Sequence, residues 1–130
     1  MLMKCACKGA FLERFVQPSI LMFLSRESLH GFSILKKLEK SKVANYADVD
    51  PTGLYRTLKK MESAGLLVSA WDMESGAQPR RIYQITEEGR QCLASWEKTL
   101  KVYATTIGSL SRAVSRSVKG KSGRSCNIRS

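Results

Sequence analysis

Asp50-Pro51-Thr52-Gly53-Leu54-Tyr55-Arg56-Thr57-Leu58-Lys59-Lys60-Met61-Glu62-Ser63-Ala64-Gly65 is the stretch on which the fold turns. Asp50 is an N-cap residue and Pro51 fits the first helical position, where its missing N–H costs nothing. Gly65 supplies the C-cap, because only glycine enters the left-handed region without a steric penalty. On a helical wheel Leu54, Leu58 and Met61 fall within about 60° of one another, while Thr52, Arg56, Lys59 and Ser63 gather on the opposite side. One face of this helix is core; the other is polar and basic.

Upstream, Pro18 predicts a buried helix from about Gln17 to Arg26, with Phe11 and Phe15 in a preceding turn and residues 1–10 as a loose lead-in. Ser28 to Gly31 reads as a turn. A second amphipathic helix over about 31–41 places Phe32, Leu35 and Leu38 on one face, with Lys36, Lys37 and Lys40 elsewhere. Downstream of Gly65, Leu66 to Trp71 and Arg80 to Thr86 flank the turn-rich segment Glu74-Ser75-Gly76-Ala77-Gln78-Pro79, which predicts a two-stranded hairpin with a long tip. Thr86 then caps a last helix, whose first turn carries Glu87 and Glu88 where the helix dipole favours negative charge.

That last helix has the most regular pattern in the chain. Leu93, Trp96, Leu100, Tyr103, Ile107, Leu110 and Val114 alternate spacings of three and four, a heptad seam about 30 Å long at 1.5 Å per residue. Such a seam needs a partner surface of similar length, so self-association is expected, with packing against the preceding domain as the alternative. Gly108 interrupts the seam and weakens the helix locally. The expected organisation is a lead-in over 1–10, a helix-and-hairpin domain over 11–86, a dimerisation helix over 87–118 and a basic low-complexity tail over 119–130.

The chain has 130 residues, with 22 Lys+Arg, 11 Asp+Glu and a formal charge of +11. The charge is unevenly placed: residues 1–110 hold 16 basic and 11 acidic groups, and residues 111–130 hold six basic and none acidic. The total therefore points only weakly to a polyanion, and position has to decide. His30 is the only histidine, so a Ser-His-Asp triad would have to use it and a Cys2His2 zinc site cannot be assembled within one chain. No nucleophile, base or oxyanion arrangement surrounds His30, and an enzyme is not expected. Cys5, Cys7, Cys92 and Cys126 are too few and too irregular for a disulfide scaffold. Cys5 and Cys7 lie between Lys4 and Lys8, which favours thiolate and raises redox or soft-metal sensing, with incidental thiols as the ordinary reading. No metal site and no cofactor are expected. The longest apolar stretch, Ile20 to Leu24, is far short of a membrane span, and the N-terminus lacks a secretory pattern, so a cytoplasmic protein is expected.

Three helices, the third with a basic outward face, followed by a hairpin bearing Arg80-Arg81, have the order of a winged helix-turn-helix. The predicted class is mainly α with a β-hairpin, carrying a C-terminal dimerisation helix. A helix of this kind enters the major groove of duplex DNA while a hairpin wing sets cations beside phosphates or the minor groove. Thr52, Tyr55, Arg56, Lys59 and Lys60 are the expected recognition residues, with Arg56 the candidate for a bidentate base contact. Lys36, Lys37, Arg80 and Arg81 are the expected phosphate contacts, and Leu93, Trp96, Leu100, Tyr103 and Ile107 the expected dimerisation residues. A winged-helix adaptor that never touches DNA is the alternative.

Leu29-His30-Gly31-Phe32-Ser33-Ile34, then Pro51 through Leu67, then Pro79-Arg80-Arg81-Ile82-Tyr83-Gln84-Ile85-Thr86-Glu87-Glu88-Gly89 resemble the signature stretches of PadR-family transcriptional regulators. The likeness covers about residues 15–107. It implies a dimeric, repressor-type regulator with an N-terminal winged domain, of the short subgroup with a single C-terminal helix. Phe32 stands where the family usually has Tyr. Some members bind planar aromatic ligands between the dimerisation helices, and Trp96 is similar to an aromatic on that helix. The resemblance therefore marks Trp96 as a candidate contact for a small aromatic effector, against the ordinary use of a bulky seam residue in packing.

Overall fold

The computed structural model describes residues 15–41, 50–73 and 78–120. Its elements are α1 (Val16–Arg26), β1 (Leu29–His30), α2 (Gly31–Lys40), α3 (Pro51–Ser63), β2 (Leu67–Asp72), β3 (Arg80–Ile85) and α4 (Glu87–Lys119). Cys5, Cys7, Cys126 and the expected lead-in lie outside the described residues, as does the basic tail beyond Gly120.

Helix α3 is fixed at both ends by the residues that announce it. Asp50 is extended and its carboxylate accepts from Gly53 N at 2.5 Å, with Pro51 opening the helix. At the other end Ala64 is the cap residue and Gly65, at φ +83°, is the residue beyond it. Leu66 N donates to Met61 O and Gly65 N to Glu62 O, both at 3.0 Å, the paired bonds of a Schellman stop. Pro18 lies two positions inside α1 rather than at its first position, still within the turn whose N–H groups have no helical acceptor.

The three helices pack through the stripes their periodicity predicts. Ile20, Leu21 and Leu24 of α1, Ile34, Leu35 and Leu38 of α2, and Leu54, Leu58 and Met61 of α3 are buried together with Leu29, Leu67 and Tyr83. Each aliphatic side chain so buried contributes about 1.5–3 kcal/mol, so the helices are held mainly by this cluster. Phe32, expected on the buried face of α2, is instead 56% exposed, and Ile34 takes the inward position.

The sheet has three strands, not the two expected. Its order is β1-β3-β2, with Leu29 opposite Tyr83 and His30 opposite Ile82 in the added antiparallel pair. What reads locally as a turn at 28–31 thus becomes the inner edge of the wing. His30 Nε2 lies 2.8 Å from Asp72 Oδ2, reaching across the central strand, so the lone histidine has a structural partner in the wing.

Thr86 joins the wing to α4. Its hydroxyl donates to Gly65 O at 2.6 Å and accepts from Gly89 N at 3.0 Å, while its own N–H donates to Leu66 O. Gly89 is buried against the Leu66 carbonyl, where a Cβ would collide with backbone. Beyond this joint α4 runs for 33 residues, about 50 Å. No helix of the described residues is long and apolar enough to cross a membrane.

Candidate nucleic-acid interface

The outward face of α3 presents Thr52, Tyr55, Arg56, Lys59 and Lys60, all exposed. Arg56, Lys59 and Lys60 have no side-chain partner among the described residues. Tyr55 is different. Its ring lies over the start of α2, so close that a Cβ on Gly31 would sit 2.5 Å from Cε1. With the ring in this position Gly31 has no space for a side chain, and the ring lies beside the basic face of α3.

The wing reaches α3 through a polar chain. Glu62 accepts from the Ser69 hydroxyl at 2.9 and 3.0 Å, and Ser69 Oγ in turn accepts from Arg81 Nη1 at 2.8 Å. The Arg81 guanidinium lies 4.8 Å from the centre of the Trp71 ring. Tyr55, Lys59, Ser63, Arg81 and Tyr83 line one concavity between α3 and the wing. Burial pushes the Tyr83 phenol above its ordinary value; the Arg81 guanidinium pulls the other way, and Glu62 and Tyr55 add to the rise.

Arg80 and Arg81 do not act as a pair. Strand alternation sends them to opposite faces of the sheet, Arg81 opposite Trp71 and Arg80 opposite Asp72. Lys36 and Lys37 are also separated. Lys36 Nζ lies 5.1 Å from the Phe32 ring centre and 3.8 Å from Glu39, whereas Lys37 opens beside Phe23 and Arg26 of α1 and Glu27 just beyond it. Glu62 and Ser69 were not singled out by the sequence, because a carboxylate on a basic helix and a serine in a strand have no local signature.

The heptad seam divides. Leu93 and Trp96 pack against the core of their own chain, and Phe15 meets the Trp96 ring edge-on at 6.4 Å and Tyr103 at the same separation. The amino-terminal part of the seam is thus satisfied at least partly within the chain, with an apolar groove of 680 Å³ left between α1 and α4 beside Trp96 and Leu100. From there the seam is bare: Ile107, Leu110, Val114 and Val118 are between 50% and 62% exposed.

A helical trio whose third member presents an uncommitted basic face, tied to a three-stranded wing, is a winged helix-turn-helix. The chain belongs to the transcriptional regulator PadR-like family, whose family model matches residues 20–95. Membership makes it a transcription regulator and not an enzyme. No curated protein matches the chain. Solved structures do. A PadR-like transcriptional regulator from Bacillus cereus is similar at 24% identity and TM-score 0.68, over 77% of this chain and 94% of that one. A PadR family transcriptional regulator from Eggerthella lenta is similar at 29% identity and TM-score 0.57, over 70% and 79%. A PadR family transcription regulator from Clostridium difficile is similar at 23% identity and TM-score 0.64, over 74% and 97%.

Proposed function

We propose that the protein is a sequence-specific regulator that binds duplex DNA as a homodimer on a pseudo-palindromic operator, acting as a repressor in the cytoplasm. The observation that carries this reading is the face of α3, where Arg56, Lys59 and Lys60 stand exposed and, among the described residues, without side-chain partners, beside a wing whose Arg81 is already oriented. Long exposed cations on a helix face are disposed to contact phosphates and base edges. Arg56 is the base-reading candidate, and Thr52, Tyr55, Lys59 and Lys60 frame it. Arg81 and Arg80 serve phosphates from the two sides of the wing, and Lys36 and Lys37 from the two flanks of α2.

Dimerisation is supported by the exposed half of the seam, since a row of aliphatic side chains down one helix stays in water only at a cost of about 25 cal/mol per Å². Leu100, Tyr103 and Ile107 continue it, with Leu93 and Trp96 at its inner end. Release by a small aromatic ligand belongs to the same reading, with the groove beside Trp96 as the seat.

The experiment is fluorescence anisotropy of labelled duplex from upstream of the chain's own coding region, at two salt concentrations. A regulator shows affinity that falls steeply with salt and exceeds that for a scrambled duplex. Duplex affinity no greater than that of a peptide spanning residues 119–130 refutes it and leaves the adaptor. An aromatic ligand panel that alters neither tryptophan emission nor operator affinity refutes the effector.

A further inference from the structure

Beyond Glu97 the sequence holds eight Lys and Arg and no Asp or Glu, and five of the eight lie on α4 as Lys98, Lys101, Arg112, Arg116 and Lys119. All five are exposed. At about 100° per residue they fall within about 60° of one another, on the side of the helix opposite Ile107, Leu110 and Val114, in a row about 30 Å long. Thr105 and Gly108 fill the interval in the row. Arg112 lies back over that interval, its Nη1 3.4 Å from where a Cβ on Gly108 would stand. Helix α4 thus has two long faces, an apolar seam and a basic back, and an interface on the seam leaves the back in water.

The ordinary uses of such a face do not account for it. An exposed helix flank is commonly laced with acid and base three or four residues apart, whereas Lys98 with Lys101, Arg112 with Arg116 and Arg116 with Lys119 are like-charged pairs at those spacings, each mildly destabilising. Lys101 reaches Glu97 at 4.0 Å with both side chains in water, and the other four cations have no ion-pair partner among the described residues. The helix dipole favours Arg116 and Lys119 in the last turn and does nothing for Lys98, Lys101 and Arg112. The occupant that such a row fits is a polyanion, and its kind follows from what the row lacks. A lipid surface takes up apolar side chains beside the cations, and a protein interface closes over an apolar centre; the apolar residues of α4 are on its other side. Cations with no apolar residue between them suit a phosphate backbone, held without base contacts.

We propose that the basic back of α4 binds the phosphate backbone of a second duplex, apart from the one held by α3, so that the protein bridges two DNA segments. This rests on the DNA-binding reading above. The two basic surfaces are separate: α4 is seated at the start of α1 through Phe15 and Trp96, and the exposed face of α3 points away from the core that α1 and α3 share.

The probes are a duplex selected by the protein from a random-sequence pool, immobilised and saturated with the full chain, and a labelled random duplex offered in solution. Capture of the random duplex is expected, falling steeply with salt. Lys98→Gln, Lys101→Gln, Arg112→Gln, Arg116→Gln and Lys119→Gln together are expected to lower capture at least about tenfold and its salt slope by about four, while affinity for the selected duplex stays within about threefold. Arg112→Lys with Arg116→Lys is expected to retain capture, since a phosphate track asks for charge rather than a planar fork. Arg112→Gln with Arg116→Gln gives a partial loss of capture should the five-residue variant fail to fold. Capture that survives loss of the five cations and disappears with Lys121→Gln, Arg124→Gln and Arg129→Gln overturns the proposal. Loss of selected-duplex affinity in step with capture overturns it too, by placing the row on the same duplex, and tighter binding of phosphatidylglycerol vesicles than of random duplex overturns it in favour of a lipid surface. No capture by an unmodified chain that binds the selected duplex overturns the bridge and leaves the DNA-binding reading standing. No binding of either duplex overturns both.

Discussion

The ring of Tyr55 rests on the backbone of Gly31, so that a single methyl at residue 31 would fall 2.5 Å from Cε1. That contact seats the ring between the start of α2 and the exposed face of α3. Tyr55 is 45% exposed and has room to swing away, so Gly31→Ala is expected to cost little stability and to lower duplex affinity by displacing the ring. Gly89→Ala is the contrast. Its methyl meets the Leu66 carbonyl, which cannot move without the α3 stop, and a loss of about 1–3 kcal/mol is expected. Urea unfolding beside duplex titration separates the two; equal stability losses would contradict the distinction.

Among the described residues, Asp50 is the side chain that caps α3 at its amino end, accepting from Gly53 N. Asp50→Ala is expected to cost about 1 kcal/mol in urea unfolding, and Asp50→Ser to restore most of it.

Arg56 and Arg81 differ in how they are held, and their substitutions should differ too. Arg56→Ala is expected to weaken binding to the selected duplex by about 1–3 kcal/mol and to relax one base position. Arg81→Ala should weaken selected and random duplexes alike and reduce the salt slope by about one. Equal losses on both duplexes for both variants would end this division of labour.

Tyr83 has a phenol pushed up by burial, so the folded state holds its proton more tightly than the unfolded chain. Its stabilising contribution is whole below the ordinary value of 10.0 and is lost as pH rises through the higher folded value. Tyr83→Phe should therefore show a smaller fall in stability above about pH 10 than the unmodified protein. Parallel alkaline unfolding curves for the two proteins would contradict it.

Ile107 and Val114 lie on the bare half of the α4 seam. Ile107→Lys with Val114→Lys is expected to abolish self-association in sedimentation while leaving the unfolding of the helix-and-wing domain nearly unchanged, because neither residue belongs to its core. A dimer that survives the double substitution would place the interface elsewhere.

The parts of the fold that were legible in the sequence are those whose cause is local. Asp50, Pro51 and Gly65 mark α3 because a cap, a first-turn proline and a left-handed stop act within a few residues. Strand β1 is illegible locally for the converse reason: two residues carry no period, and the pairing of Leu29 with Tyr83 is made far along the chain. The seam was found, but the spacing of apolar residues does not say what covers them, so the packing of Leu93 and Trp96 on their own core was not separable from an interface. The two arginines of the wing looked like one doubled charge, although alternation alone sends them apart. Glu62 and Ser69 have no signature, because their role is defined only by Ser69 linking Arg81 to Glu62 across the fold.

The short strand β1 also decides how the wing opens. Leu29 and His30 are bonded to the central strand and lead directly into α2, whereas β2 has its outer edge unpaired among the described residues. Amide hydrogens at the β1–β3 seam are expected to exchange more slowly than those on the outer edge of β2, because β1 leads directly into the buried start of α2. The wing is thus a flap with a stiff root and a soft rim, and deuterium uptake graded across its three strands is the form that difference takes.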